Sequence, residues 1–320
     1  MQQAATLDTP RDTGLGTVQG RMGARRKKLR EALSAYGFLA PYLLILGTFT
    51  LIATGYAFYL SFFFVDFGFG EPIFYGFKNY QHIWFDLTHN GDFAVGLKNI
   101  LFYTVGVVTM QTILALGLAL LLNQKVRGRG IFRTAFYLPS LTSSVAISLI
   151  FIWLYNTHGA LNYLLSLVGI PGRAWLFDPT TSLPAIMLLN IWTTAPTFML
   201  LYLAALQDIP DQLVEAARVD GANSWRVLWH ITLPLLRPTT FLVTALGTIG
   251  SFQLFDQVYI MEGAEGGPIR STITPVLQIY NTAFKDSLMG RACAEAVVLF
   301  VVIFLFTLLQ RRFIDTSIQY

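Results

Sequence analysis

Six apolar runs separated by polar connections set the pattern of this chain. The runs cover residues 37–64, 98–122, 134–156, 183–206, 239–260 and 292–310. Each run is long enough to cross a bilayer, since a membrane-spanning helix needs about 20 apolar residues. Prolines and glycines occur within them, and membrane helices tolerate these residues where neighbouring groups satisfy the backbone. The pattern predicts an all-α integral membrane fold with six transmembrane helices.

A polar segment between the fourth and fifth runs, residues 207–238, is predicted to form two compact helices, and we call it the docking loop. Pro210 and Asp211 provide an early proline and an acid for the first turn of a helix. Gly221 predicts the end of that helix, because a residue without a Cβ enters the left-handed region at little cost. Two ordered helices between membrane spans indicate a surface that binds another protein.

The second helix of the docking loop is expected to start at a cap formed by Asn223 or Ser224 and to be broken by Pro234 and Pro238. One apolar stripe on this helix consists of Trp225, Leu228 and Trp229. On the first helix, the small side chains of Ala216 and Ala217 allow a partner to approach closely. The residues predicted to carry the contact are Glu215, Ala216, Ala217, Asp220, Gly221, Trp225, Leu228, Trp229, Leu233 and Pro234.

Composition supports a membrane protein and excludes several classes. Hydrophobic residues make up 54% of the 320 residues and charged residues only 12%, whereas soluble domains carry about 25% charged residues. The net charge of +4 comes from basic residues beside apolar runs, which indicates membrane orientation and not nucleic-acid binding. A single cysteine, Cys293, excludes an internal disulfide and fits no metal-binding pattern.

The charges also predict an orientation in the membrane. The connection over 65–97 is mainly acidic, whereas 123–133 carries four basic residues and no acid. Basic segments stay on the cytoplasmic side, so we expect both termini and the docking loop to be cytoplasmic. The predicted domains are a disordered basic arm over 1–35, a transmembrane domain over 36–313 and a cytoplasmic tail over 314–320. A membrane-surface helix near residues 27–35 is the alternative for the end of the arm.

The docking loop resembles the EAA loop of inner-membrane permease subunits of binding-protein-dependent ABC importers. Glu215-Ala216-Ala217 is followed after three residues by Gly221, after nine more by Ile231, and then by Leu233-Pro234. A longer form of this pattern, with Asp220-Gly221-Ala222 and a closing Pro238, resembles the carbohydrate branch of that family. Further matches extend the resemblance over about residues 36–313, at Leu138-Pro139, Phe255-Asp256, Gly267-Pro268, Ser271-Thr272 and Gly290.

This resemblance implies a multi-pass subunit in a bacterial or archaeal plasma membrane, in contact with membrane lipid. Its docking loop would be the coupling helix, inserted into a cleft of a separate ATPase subunit. The implied partners are a second homologous permease, two copies of the ATPase subunit and an extracytoplasmic solute-binding protein. ATP and Mg²⁺ would be bound by the ATPase subunits, and no cofactor by this chain.

Motifs for bond chemistry are missing from the sequence. It holds no G-x-x-x-x-G-K-[ST] phosphate loop, no H-E-x-x-H and no spaced His/Cys cluster. The middles of the six runs carry no charged residue, which disfavours the main alternative, an ion-coupled secondary transporter or channel. A membrane-embedded enzyme would need a polar catalytic cluster, and none is visible. We therefore expect no catalytic residue and no metal site.

A sugar pathway needs polar and aromatic side chains with few full charges. Runs four and five offer such groups, and the residues predicted to line the pathway are Asn190, Trp192, Ser251, Gln253, Leu254 and Asp256. For Gln253, hydrogen bonding between helices is an equally good explanation. For Thr193, Thr194 and Gln111, packing within the membrane is the preferred explanation.

Two features depart from the family pattern. The loop over 261–268 is longer and more acidic than expected, and Arg291 and Glu295 stand at the head of the sixth run, four residues apart on one helix face. The sequence leaves the solute open among maltodextrin, trehalose, other oligosaccharides and glycerol-3-phosphate. The phosphate ester is disfavoured because no cluster of arginines lies within the runs.

Overall fold

The structure is almost wholly helical. A computed structural model of the chain describes residues 15–66, 71–124 and 128–313, in two compact units, one ending at Ala57 and the other beginning at Phe58. Apart from one short hairpin, these residues confirm the predicted all-α class. The predicted tail over 314–320 lies outside the described residues.

The first unit is helical from Leu15 onward. Helix α1 covers Leu15–Ile45, a π-helical stretch covers Leu46–Ile52, and α2 covers Ala53–Leu60. Residues 15–35, within the arm expected to be disordered, are thus helical, including the stretch over 27–35 for which a membrane-surface helix was the alternative. Residues 1–14 lie outside the described residues. The sequence over 15–35 is rich in arginine, lysine, alanine and leucine, which favour helices, and no proline interrupts the helix before Pro41.

The second unit begins with the last residues of α2 and continues with a two-residue antiparallel hairpin, β1 (Phe63–Phe64) and β2 (Ile73–Phe74), with Phe63 opposite Phe74. The helices that follow are α3 Lys78–Thr88, α4 Asp92–Asn123, α5 Arg129–Tyr137, α6 Ser144–Leu154, α7 Ala160–Leu167, α8 Ser182–Gln207, α9 Asp211–Val219, α10 Ser224–Val227, α11 Leu233–Leu235, α12 Arg237–Phe252, α13 Asp256–Glu262, α14 Pro275–Tyr280 and α15 Met289–Phe313. Short 3-10 or π-helical turns occupy 138–141, 228–232, 268–270 and 281–285.

The core of this unit lies where α4, α8 and α12 pack together. Ala115 and Ala119 of α4 are fully buried against Met199 of α8 and its neighbours. Small residues allow membrane helices to approach closely. The same three helices enclose the polar cavity described below.

In the part of the chain that the structure describes, four helices are long and apolar enough to cross a membrane, namely Arg30–Leu60, Asp92–Asn123, Ser182–Gln207 and Met289–Arg312. They correspond to the first, second, fourth and sixth apolar runs. In the described part of the chain, the third and fifth runs do not form continuous helices of that length. The six crossings therefore remain a prediction.

The third run is bent. The helical segments Arg129–Leu141 and Ser144–Leu154 meet at 94°, which corrects the single continuous crossing expected over 134–156. Pro139 lacks a backbone N–H, and the Ser143 hydroxyl accepts a hydrogen bond from the Ala146 amide at 3.3 Å, which caps the second segment. The bent pair counts as a fifth crossing only if both segments belong to one span.

The fifth run is broken near its end. Helix α12 has 16 residues and stops at Phe252, and α13 starts at Asp256, so the continuous helix expected over 239–260 is corrected. The Thr274 hydroxyl donates to the Leu254 carbonyl at 2.8 Å, which satisfies a backbone group that the break leaves free. Irregular backbone within a membrane domain is tolerated where it is buried in protein or lines a cavity.

Helix α7 lies in the connection between the third and fourth runs, and Gly169 follows it with φ +76°. Asn162 on this helix ties the surrounding loop together. Its amide nitrogen donates to the Arg173 carbonyl at 2.8 Å, and its oxygen accepts from the Arg173 amide at 3.1 Å and from the Trp175 indole at 2.9 Å. One side chain thus fixes the connection between α7 and α8.

Replacing Asn162 by leucine is expected to lower the stability of this connection. The change leaves partly buried backbone groups and the indole N–H without partners, at a cost of about 1–3 kcal/mol. Thermal unfolding of the purified complex in detergent measures the loss. Ser166→Ala is the matched control, because the Ser166 hydroxyl is exposed and bonds only the Tyr163 carbonyl of its own helix. Equal unfolding temperatures for the two variants would contradict the assigned role.

Candidate functional site

A polar cavity of about 230 Å³, which we call the central cavity, lies between α4, α8 and the broken end of α12. Its lining includes five of the six residues predicted for a solute pathway, namely Asn190, Ser251, Gln253, Leu254 and Asp256. The break after Phe252 brings Gln253 and Asp256 to this cavity, because the chain leaves the helix axis there. The structure thus collects these residues around one space.

Trp192, the sixth predicted residue, is not part of the lining. Its side chain is 45% exposed, and its ring packs against Phe151 at a centroid distance of 5.6 Å. Asn190 and Thr194 both line the central cavity and stand four residues apart, so they share one helix face, whereas Trp192 lies between them on another. The helical spacing of these residues is therefore sufficient to exclude Trp192 from the lining of the central cavity.

Of the polar residues expected to hold helices together, Thr194 and Gln111 do so, whereas Thr193 bonds within its own helix. The Thr194 hydroxyl donates to the Gln111 side-chain oxygen at 2.7 Å and joins α8 to α4. The Thr193 hydroxyl lies 3.1 Å from two carbonyls of its own helix. A Cβ at Gly247 would collide with the Gln111 amide nitrogen, so this glycine leaves room for that amide between α4 and α12.

A second cavity of about 280 Å³, the side cavity, adjoins the central cavity and shares Asn190, Thr194 and Gln257 with it. The bent third run contributes its hydroxyls, Ser140, Thr142 and Ser144. Sequence reasoning missed them because they face the cavity only through the bend. Among the described lining residues of both cavities, Asp256 is the one charged side chain. The central and side cavities together present hydroxyl, amide and aromatic groups to a bound solute.

The docking loop has the predicted two helices, α9 and α10. Gly221 follows α9 with φ +79°, which confirms the left-handed turn. Of the two capping candidates, Asn223 caps α10, since its side-chain oxygen accepts from the Arg226 amide at 2.9 Å. Pro238 stands in the first turn of α12, after α11 ends at Leu235, as expected, but Pro234 does not break the second helix. A π-helical turn over 228–232 precedes Pro234, and the wider turn relieves the clash between a proline ring and the preceding carbonyl.

The docking loop exposes an apolar surface. Trp225 and Trp229 are 67% and 60% exposed, and Val219, which the sequence did not single out, is 88% exposed. Glu215, Ala216, Asp220 and Gly221 are exposed as well, whereas Ala217, Leu228, Leu233 and Pro234 are half-buried. Large exposed apolar side chains on a structured loop are typical of a protein-binding surface.

Glu215 also borders a groove of about 580 Å³ between the docking loop and the ends of α4 and α8. Asp211 and Arg218 stand in the same groove. Its charged lining differs from the neutral lining of the side cavity. The docking loop therefore combines an apolar outer surface with a charged groove behind it.

Buried charges cluster at the end of the second unit opposite the docking loop. Arg291 and Glu295 pair on one face of α15, as predicted, with the Arg291 Nε 3.1 Å from the Glu295 Oε1. Asp86 is a third member, 3.9 Å from the Arg291 guanidinium. Its carboxylate also accepts from the Phe93 amide at 3.0 Å in the first turn of α4. This cluster joins α3, α4 and α15.

The acidic loop at the same end is tightly folded around glycines. Gly263, Gly266 and Gly267 all have positive φ. Burial raises the pKa of the Glu262 carboxyl to about 7, while the Glu265 carboxylate is exposed and pairs with Lys285 at 3.0 Å. No group of three or more His, Cys, Asp or Glu side chains placed to hold a metal ion occurs in the described residues.

Comparisons with known proteins give a consistent result. Residues 111–316 match the family described as binding-protein-dependent transport system inner membrane component. The probable ABC transporter permease protein YesP of Bacillus subtilis is 34% identical over 290 residues, which cover 90% of this chain and 92% of that protein. The lactose transport system permease protein LacF of Rhizobium radiobacter is 36% identical over 240 residues, covering 74% of this chain and 78% of LacF.

A solved structure has the same fold. It belongs to a bacterial ABC transporter involved in the import of the acidic polysaccharide alginate, and one of its chains aligns with a TM-score of 0.74 at 21% identity. The alignment covers 92% of this chain and 100% of that chain. The helical architecture described above is therefore that of a known transporter subunit.

Proposed function

Because this chain belongs to the family of binding-protein-dependent transport system inner membrane components, we propose that it forms half of the translocation pathway of an ATP-driven carbohydrate importer. The resemblance found in the sequence is thereby confirmed at the level of the family. A permease of this family is a membrane component and not itself an enzyme. The ion-coupled alternative gains no support from the relatives described above.

The central cavity is the observation that carries the carbohydrate assignment. Sugars present many hydroxyls and few charges, and the cavity lining offers amides at Asn190 and Gln253 and a hydroxyl at Ser251. Such groups donate and accept hydrogen bonds without a counter-ion. The absence of basic side chains from the described lining of both cavities disfavours a phosphate ester. The lactose permease named above supports the same class of solute.

The driving energy would come from a separate ATPase subunit, which binds ATP and Mg²⁺ while this chain binds no cofactor. The exposed Trp225, Trp229 and Val219 would enter a cleft of that subunit, and Glu215 would meet one of its basic residues. Burial of large aromatic side chains dominates such contacts, whereas exposed ion pairs contribute about 0–1 kcal/mol.

The path from the docking loop to the central cavity is short and direct. Helix α12 begins at Arg237, within the last residues of the docking loop, and ends at Phe252 beside the cavity. Its 16 residues span about 24 Å. Closure of an ATPase dimer would move the loop, and α12 would carry that motion to Ser251 and Gln253. The pathway would thereby swing between inward- and outward-facing states.

A complete importer would contain this chain, a homologous permease, two ATPase subunits and an extracytoplasmic solute-binding protein. With both termini and the docking loop on the cytoplasmic side, the basic connection over 123–133 would also be cytoplasmic, as the charge distribution favours. Reconstitution of this complex tests the assignment. We expect at least one neutral sugar of a panel to stimulate ATP hydrolysis in the presence of the binding protein, whereas stimulation by none of them would refute the carbohydrate class.

Gln253→Ala is expected to reduce sugar uptake by about three- to tenfold, because it removes one or two hydrogen bonds of about 0.5–1.5 kcal/mol each. The amide lines the central cavity and is exposed to it. Uptake into proteoliposomes measures the effect. Ser148→Ala provides the control, since that buried hydroxyl donates to the Ser144 carbonyl of its own helix. Equal uptake by both variants would exclude Gln253 from the pathway.

A further inference from the structure

We propose that four aromatic rings form a stacking track that guides the rings of a neutral oligosaccharide between the extracytoplasmic solution and the central cavity. The rings belong to Phe255, Tyr259, Tyr280 and Phe284, and we call them the aromatic track. The inference rests on the proposed function, because it assigns side chains that would handle the same sugar outside the cavity.

The four rings form one continuous series. The Tyr280 ring lies 5.2 Å from Phe255 and 5.1 Å from Phe284, measured between ring centroids. Tyr259 lies 5.3 Å from Phe255 and 5.4 Å from Tyr280. These spacings are those of aromatic rings in direct contact. Phe255 and Tyr259 stack on each other at 22°, and Tyr280 meets Tyr259 edge to face at 68°. A sugar would therefore pass along the outer faces and edges of this series of rings.

The two ends of the series lie in different surroundings. Phe255 is part of the lining of the central cavity. Phe284, at the other end, is 63% exposed, and the residue after it, Lys285, forms an exposed ion pair with Glu265 at 3.0 Å. Exposed charged pairs avoid hydrocarbon, so this end of the aromatic track lies outside the hydrocarbon layer, in contact with water. The aromatic track thus connects an aqueous surface with the cavity.

The chemistry of the aromatic track fits a neutral sugar. A pyranose has apolar faces made of C–H groups and a rim of hydroxyls, and flat aromatic rings match the faces. The hydroxyls of Tyr259 and Tyr280 donate and accept hydrogen bonds at the rim. Asp256, beside Phe255 in the cavity lining, would repel an anionic sugar. Successive rings in contact would hold more than one sugar unit at a time, which favours oligosaccharides.

The partial exposure distinguishes the aromatic track from ordinary core packing. Tyr259 is 39% exposed in addition to Phe284, whereas core aromatic residues of the same unit such as Phe252 and Tyr103 are at most 1% exposed. Continuity with the central cavity distinguishes it from an aromatic belt in contact with lipid. An outer approach route for the solute accounts for both observations.

The test measures sugar taken up per ATP hydrolysed in proteoliposomes that contain the complete complex and its binding protein. The probes are trehalose, lactose and a series of maltodextrins. We expect Phe284→Leu, which keeps an apolar side chain but loses the flat face, to lower this ratio about three- to tenfold, with a larger loss for longer maltodextrins. Phe284→Tyr should retain the wild-type ratio. Phe300→Leu is the control, because Phe300 is 66% exposed on α15 and lies outside the aromatic track.

Three results would overturn the inference. If the wild-type complex takes up sugar and Phe284→Leu keeps the wild-type ratio, the aromatic track has no role, although the proposed function stands. If Phe284→Leu loses the second permease during purification, the ring is a contact between subunits. If the wild-type complex takes up none of the sugars, the proposed function fails and the inference fails with it.

Discussion

Gly221→Asp is expected to abolish coupled sugar uptake while the chain remains folded in the membrane. Gly221 has φ +79°, and a side chain added there would meet no atom within 4 Å. The substitution causes no collision; it adds a negative charge and a backbone strain of at most about 1–2 kcal/mol, because Asp enters the left-handed region more readily than most residues. The strain falls on the turn that sets the angle between α9 and α10, so the apolar surface would no longer fit the ATPase cleft. In the wild type, we expect the binding protein to stimulate ATP hydrolysis tenfold or more. The variant complex would hydrolyse ATP without this stimulation, because strain of about 1.4 kcal/mol in the coupled state corresponds to a factor of ten.

Gly169→Asp is the matched control for this experiment. Gly169 also follows a helix, has φ +76°, and has no atom within 4 Å of an added Cβ, but it lies after α7 and outside the docking loop. Both variants carry similar backbone strain, so only the position differs. If Gly169→Asp impairs uptake as strongly as Gly221→Asp, or if Gly221→Asp transports normally, the docking loop does not couple the two subunits.

Arg291→Leu is expected to destabilise the second unit by about 3–5 kcal/mol, the usual cost of removing one partner from a buried ion pair. The Glu295 side chain is completely buried, and the Asp86 side chain is 16% exposed. Without the guanidinium, two carboxylates remain close together with no opposite charge. Because Asp86 also accepts from the first turn of α4, we expect the loss to loosen the contact between α3, α4 and α15. The thermal unfolding of the purified complex in detergent reports this change.

The double variant Arg291→Leu with Glu295→Leu separates charge from packing. Replacing both members of a buried pair by apolar residues is often neutral, so the double variant should recover most of the lost stability. Lys285→Leu is the control, because its pair with Glu265 is exposed and should contribute at most about 1 kcal/mol. If Arg291→Leu unfolds at the same temperature as Lys285→Leu, the buried cluster has no structural role.

Local chemistry explains which parts of the docking loop could be predicted from the sequence. The positive φ of Gly221 and the cap by Asn223 depend on residues within one turn of them, so sequence patterns contain them. The pairing of Arg291 with Glu295 is of the same kind, since the residues are four apart on one helix. The third member, Asp86, is far away in sequence and was not predictable.

The breaks in the third and fifth runs depend on distant contacts. An apolar run of sufficient length predicts a helix, but it contains no sign that Thr274 will satisfy the Leu254 carbonyl and make a break tolerable. The break brings Gln253 and Asp256 into the central cavity, so the location of the candidate site is partly a tertiary property. Five of the residues chosen by type line this cavity, whereas Trp192 lies on another helix face and does not. Their contact with a solute stays a prediction.

Dependence of sugar uptake on the ATPase subunit tests the central claim most directly. The two permeases and the binding protein would be reconstituted in proteoliposomes with and without the ATPase subunits, and entrapped sugar would be measured after addition of ATP to the side of the docking loop. We predict uptake only when the ATPase subunits are present and ATP is hydrolysed. Accumulation of sugar by vesicles that lack these subunits would contradict the account, because this chain would then drive transport by itself.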